Sequence, residues 1–239
     1  MKKILPVLLI SLSFTSCMRN VIIGSGNKIN DTRTVTSFSA VDISAPVDAS
    51  ITIQDGATPS LQLSGYENLQ KNIKTEVHEG KLLVYVPKGT ELSTSEKVKM
   101  TIVLPALNSV SLSGATDAQL HGDIRCADFN LDISGASDVV IDNLNVEKFT
   151  ADVSGAAKVN IMSGHTNAAT YDMSGAAKIR AFGLTTLKTD ASLSGAGVAD
   201  VEADGTLNVH LSGVGAVHYK GHPVITTEKS GVGVVSDAN

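Results

Sequence analysis

The sequence predicts an all-β fold: a single-stranded parallel β-helix (solenoid) with rungs of about 20 residues and an irregular β N-terminal cap. The first observation is a repeat. Ser-Gly followed by Ala or Val recurs with its glycines at Gly114, Gly135, Gly155, Gly175, Gly195, Gly213 and Gly231, at spacings of 21, 20, 20, 20, 18 and 18 residues. The second is periodicity. Residues four and two before the glycine are apolar in most repeats, as in Leu131/Ile133 and Ala151/Val153, and so are those four and six after it, as in Val139/Ile141 and Val159/Ile161. The positions between them are mostly polar or charged. Period-two alternation on both sides of a glycine describes two strands, each with one buried face. The third is composition. Aromatic residues make up 4% of the chain and Trp is absent, so the core must come from small and β-branched side chains, which suits thin, regular β-layers. A propeller blade needs roughly 40 residues, whereas this repeat fits one coil of a solenoid.

At the N-terminus, Lys2 and Lys3 precede a short apolar run, Ile4 to Phe14, too short to span a bilayer as a helix. The run ends in Phe14-Thr15-Ser16-Cys17, small residues before a cysteine as in a bacterial lipobox, with Phe14 where Leu is usual. Residues 1–17 are therefore expected to be a lipoprotein signal peptide, with Cys17 acylated as a membrane anchor. Met18 follows, not the acidic residue that retains some lipoproteins in an inner membrane. The expected location is the outer membrane, at the cell surface or the periplasmic face. Residues 18–32 carry Gly24, Ser25 and Gly26 and read as a tether.

Residues 33–235 form the predicted solenoid. In its irregular part, 33–109, strands are expected at Val35–Ile43, Ala49–Ile53, Leu61–Ser64, Ile73–His78, Lys81–Val86 and Val98–Leu104, with a short helix within Tyr66–Lys74. These read as wider, irregular rungs that hide an open end. In the repeats, 110–235, Gly114, Gly135, Gly155, Gly175, Gly195 and Gly213 are assigned to sharp corners between strands, where a positive φ is needed. The last repeat carries Thr227 and Lys229 at positions that are apolar elsewhere, as a terminating rung should.

The net charge of −5 and pI of about 5.6 offer no basic footprint for nucleic acid. There is no nucleophile elbow, phosphate loop or dinucleotide fingerprint. His218 and His222 have the spacing of a zinc pair but no helix or following ligand, and read as surface histidines. With Cys17 acylated, Cys126 has no disulfide partner and is expected to be a small buried hydrophobe, a reactive thiol being the alternative. One outward column stands out. Three positions before the glycine it reads Ser111, Asp132, Asp152, Asp172, Ser192, His210. Stacked in register, the carboxylates would lie ~4.8 Å apart and repel. Solvation, helped by Lys158 and Lys178 across the corner, is the expected balance. A Ca²⁺ ion on Asp132, Asp152 and Asp172 is a second reading, and a catalytic carboxylate group, as in pectate-lyase-like solenoids, a third. No cofactor is called for.

The Arg33–Ile43 opening, the Leu61-Gln-Leu-Ser-Gly-Tyr-Glu-Asn-Leu69 segment, the Gly80-Lys-Leu-Leu-Val84 strand and the Ser-Gly-Ala repeats together resemble the auto-transporter adhesin head GIN domain family. This domain of unknown function occurs mostly in exported proteins of Bacteroidetes. The resemblance covers roughly residues 35–220. It implies a parallel β-helix similar to pectin-lyase-type solenoids, no known catalytic residues, a role in adhesion and assembly as trimers. The expected function is that of a lipid-anchored cell-envelope module without catalysis. It would meet the membrane through its anchor and a host or cell-surface glycan or protein through its uniform rungs. A polysaccharide-acting enzyme and a periplasmic structural protein are the alternatives.

Overall fold

The computed structural model describes residues 20–239; Cys17 and the expected signal peptide, residues 1–17, lie outside them. Strands come first in chain order: β1 (Asn20–Ile23), β2 (Lys28–Arg33), β3 (Ala40–Ser44), β4 (Val47–Ile53) and β5 (Ser60–Tyr66). A single turn of helix, α1 (Glu67–Gln70), is followed by β6 (Lys74–His78), β7 (Lys81–Tyr85), β8 (Thr90–Ser93) and β9 (Val98–Leu104). The repeats supply β10 (Ser109–Gly114), β11 (Asp117–Gly135), β12 (Asp138–Gly155), β13 (Lys158–Gly175), β14 (Lys178–Gly195) and β15 (Val198–Gly213). The last rung is built from β16 (Ala216–Lys220), β17 (Val224–Lys229) and β18 (Val234–Asp237).

The repeats stack as a parallel β-solenoid of about six turns. Every pairing between successive repeats is parallel, with glycine beside glycine: Gly114 beside Gly135, then Gly155, Gly175, Gly195 and Gly213. In-register stacking places like on like, so each buried position becomes an apolar ladder. Val139, Val159, Ile179, Ala199 and Val217 form one such ladder, and all are almost fully buried. Phe129 stacks on Phe149 at 6.0 Å, and Tyr171 meets Phe149 edge-on at 5.8 Å. The long strands bend, and a third inward ladder, Ile124–Leu144–Gly164–Leu184, closes the interior. Thr189, the polar member of the otherwise apolar ladder Phe129–Phe149–Ala169–Thr189–Leu207, is buried against Thr186, whose hydroxyl donates to the Glu202 carbonyl at 2.9 Å.

The six corner glycines turn with φ between +92° and +141°. At the corner, the next residue's N–H donates to the glycine carbonyl one rung below. Ala156 N donates to Gly135 O at 2.9 Å, and Ala176 N to Gly155 O at 2.8 Å.

The cap departs from the expected series of wider rungs. β3 and β4 lie beside β10 and the start of β11, while β7 and β9 lie beyond them, all parallel. The chain therefore enters the stack one rung in, builds outward, and returns to start the repeats. The outermost strands run antiparallel: β6 on β7, β5 on β9 and β2 on β5. This explains the 49 residues between Gly65 and Gly114, which no repeat period accommodates. Arg33 pins the cap, donating to Ile73 O at 2.6 Å, Gln70 O at 2.8 Å and Thr75 Oγ1 at 3.1 Å.

The segment read as a tether is, from Asn20 onward, part of the folded cap. β1 pairs with β8 in parallel and β2 with β5. Ile22 packs on the core, and the Asn68 side-chain amide donates to Ile23 O at 2.7 Å. Gly24, Ser25 and Gly26 make the bend between these strands: Ser25 N donates to Asn68 Oδ1 at 3.1 Å. A Gly/Ser composition is as suited to a docked bend as to a flexible linker, and here the side-chain amide of Asn68 decides between them.

Candidate functional site

The strand leading into each corner alternates strictly. The residue two before the glycine points inward, and those three and one before it point out. Because every repeat does the same, the outward positions align into two columns. Between them runs a groove of about 850 Å³ along the solenoid axis, from Asp42 to Glu228. One column is serine: Ser113, Ser134, Ser154, Ser174, Ser194, Ser212 and Ser230. Ser154 Oγ donates to Ile133 O at 3.3 Å, and Ser194 Oγ to Met173 O at 3.5 Å. These serines use their hydrogens on the rung below and keep oxygen lone pairs toward the groove.

The other column runs Asp42, Ser111, Asp132, Asp152, Asp172, Ser192, His210, Glu228, each in register with the next. The predicted row of Asp132, Asp152 and Asp172 is thus brought together, and the structure extends it at both ends. Asp42 could not be found by repeat alignment, because its rung joins the stack out of sequence order. Ser111 Oγ reaches Asp132 Oδ2 at 3.5 Å. The Asp152 carboxyl is held above the usual carboxylate range, first by desolvation and then by repulsion from Asp172 and Asp132. The expected relief by lysine is not there. Lys158 lies 3.5 Å from Asp138 and Lys178 3.9 Å from Asp200, both on the strand after the corner. The Gly corner turns these two faces apart, so residues that are near in sequence look in different directions. Among the described residues, no ion pair joins Asp132, Asp152 or Asp172 to a cation, and no group of three or more His, Cys, Asp or Glu side chains is arranged to hold a metal ion. Parallel side chains on in-register strands form a row and do not converge on a point.

The remaining candidates fall elsewhere. Cys126 is half-buried against the core, its thiol donating to Asp128 O at 3.2 Å, and burial pushes its pKa up. That is the opposite of an activated thiolate. His218 Nδ1 sits 2.7 Å from Asp200 Oδ1 one rung away. No helix among the described residues is long and apolar enough to cross a membrane.

Residues 37–223 match the family described as "putative auto-transporter adhesin, head GIN domain". The chain belongs to this family. The head GIN domain fold is shared with a solved protein of Bacteroides fragilis, described as a putative adhesin. That protein is 25% identical, with a TM-score of 0.86 over 91% of this chain and 100% of the other. A second solved protein, from Parabacteroides merdae and also described as a putative adhesin, is 20% identical with a TM-score of 0.71 over 92% of this chain and 100% of the other, and shows the same fold. No functionally curated protein sequence matches the chain.

Proposed function

We propose that the mature chain is a lipid-anchored, non-catalytic adhesin-like module of the outer membrane, and that it holds an extended, hydroxyl-rich glycan along the Ser/Asp groove. One observation carries this reading: the groove keeps the same two columns from rung to rung. A ligand lying in it meets an acceptor-rich site every ~4.8 Å, a step comparable with the advance of an extended sugar chain. Family membership and the adhesin-like neighbour support the same reading. Anchoring rests on the Thr15-Ser16-Cys17 lipobox. Glycan arrays probed with the detergent-solubilised chain test it. Enrichment of linear glycans is expected, lost in Asp152→Arg and retained in Asp138→Arg, which lies off the groove. Equal binding by both variants, or no enrichment over a scrambled control, overturns the reading. Protease shaving of intact cells tests surface display.

A second reading has one observation in its favour. The raised Asp152 carboxyl, flanked by Asp132 and Asp172, is placed as a general acid would be. Incubation with linear polysaccharides, with and without Ca²⁺, decides: new reducing or unsaturated ends would establish catalysis, and their absence removes it.

A further inference from the structure

We infer that the outer face of β1 rests on the lipid bilayer, so that the capped end of the solenoid is membrane-proximal and the last rung points away. The inference rests on the reading of Cys17 as the acylated residue and adds a defined contact surface to it. Cys17 and Asn20 are three peptide steps apart, so their Cα atoms lie at most about 11 Å from each other whatever path Met18 and Arg19 take. An acylated Cys17 would hold its backbone at headgroup level. With β1 paired to β8 and tied to α1 through Asn68, the start of the cap is held within that same ~11 Å of the anchored residue.

The chemistry of the strand fits that position. Side chains two apart on a strand share a face. Val21 and Ile23 point away from the protein, 52% and 68% exposed, while Ile22 between them packs on the core. Ile29 at the start of β2 is also exposed. Apolar side chains next to a lipid anchor can enter the headgroup–acyl boundary, where an interfacial segment typically buries itself ~5–10 Å deep. Across the ladder, Val21 faces Glu91 and Ile23 faces Ser93, so the face is apolar on one strand and polar on its neighbour. That suits shallow seating better than deep insertion.

The far end is well separated. A single ladder leads from Met100 through Ala49, Ala118, Val139 and their counterparts to Val235 in eight inter-strand steps, about 38 Å at ~4.8 Å each. The groove runs along this same direction, so seating β1 on lipid would present its length outward.

The test uses the full lipidated chain in vesicles of phosphatidylethanolamine and phosphatidylglycerol carrying a nitroxide on the acyl chains. In a Cys126→Ser background, a fluorophore is placed at Val21→Cys, Ile23→Cys or Val232→Cys, the last being exposed beyond the final corner. Metabolic labelling with palmitate, compared with Cys17→Ser, is read in parallel, and melting curves confirm folding of each variant. The expected result is palmitate on Cys17, loss of most fluorescence at positions 21 and 23, and no loss at 232. Palmitate on Cys17 with unquenched labels at 21 and 23 overturns the seating alone. No palmitate on Cys17 overturns the anchor and the seating together. Labels at 21 and 23 shielded from a water-soluble quencher in the unacylated Cys17→Ser chain, in buffer without detergent or vesicles, would assign this face to a second copy of the chain and also overturn it.

Discussion

Replacing Gly155 and Gly114 by alanine, one at a time, separates two reasons for glycine at the corners. Both have left-handed backbone, with φ of +108° and +92°. An L side chain there costs ~1–2 kcal/mol. The surroundings differ. A Cβ on Gly155 would stand 2.4 Å from Gly135 O and 3.1 Å from Gly135 C and N, whereas one on Gly114 would have nothing within 4 Å. Gly135 O cannot yield freely, because it accepts the Ala156 N–H at 2.9 Å. Moving the rungs apart also strains the bond from Ala176 N to Gly155 O. Two weakened hydrogen bonds add roughly 1–3 kcal/mol. Gly155→Ala is thus expected to cost about 2–5 kcal/mol and Gly114→Ala about 1–2. At ~2–4 °C per kcal/mol for a domain of this size, that is a fall in Tm of about 4–20 °C against about 2–8 °C. Thermal and guanidinium melts followed by far-UV circular dichroism measure both. Equal losses, or a larger loss at Gly114, would refute the claim that close stacking of rungs, beyond the turn itself, demands glycine.

Tyr171→Phe removes a fully buried hydroxyl that has no hydrogen-bond partner among the described residues, so Tm should hold or rise, by at most the ~1–3 kcal/mol cost of an unpaired buried polar group; a clear fall would contradict the burial of an unpaired hydroxyl. Phe149→Ala empties the middle of the aromatic stack and should lower stability by ~3–5 kcal/mol in a denaturant titration. The Asp152 carboxyl titrates above its unfolded value, so its penalty is absent below the usual carboxylate range and appears as pH rises through the folded value. Asp152→Asn should therefore raise Tm slightly at pH 7 and leave it unchanged at acid pH, and the opposite order would place a cation beside the column. Arg33→Ala should speed amide exchange over residues 67–78, read by mass spectrometry, while leaving the repeats protected.

The repeats were legible because stacking in register repeats a local rule. Every coil needs a glycine at the corner and apolar residues at fixed offsets, so one alignment on Gly155 exposes all the ladders. The cap was legible only as a set of strands. Nothing local in Val41–Asp42–Ile43 says that it will pair with Val110–Ser111–Leu112 on one side and Leu82–Leu83–Val84 on the other. β8 and the strands before Arg33 were missed because Asn20–Ile23, Lys28–Arg33 and Thr90–Ser93 show little or no alternation of their own. They are strands because a neighbour offers a ladder. The third ladder escaped for a related reason: Ile124, Leu144, Gly164 and Leu184 do not share an apolar character, and the coil length varies just there. In the groove, the carboxylate row followed from the repeat, but its lysine neighbours did not. Sequence offset across a corner carries no information about which way the two faces turn.

The groove's length is set by the parts of the chain that do not repeat. Identical coils could be stacked without limit, each leaving an open edge ready to pair with another chain. At one end that edge is closed by polar residues in the inward columns, with Thr227 under Val209, Lys229 under Leu211 and Asp237 beside Tyr219. At the other it is closed by antiparallel strands and α1, which cannot continue a parallel helix. The serine and carboxylate columns run between these ends, from Asp42 to Glu228. The cap thus ends one side of the groove and also gives it its first carboxylate, because the rung of β3 and β4 is inserted between the cap and the repeats. A variant that frees β3 from β10 should shorten the groove as well as destabilise the fold. Binding and stability are therefore expected to fall together for substitutions at the buried Val41 or Ile43, and to separate for substitutions at Asp42, whose side chain lines the groove.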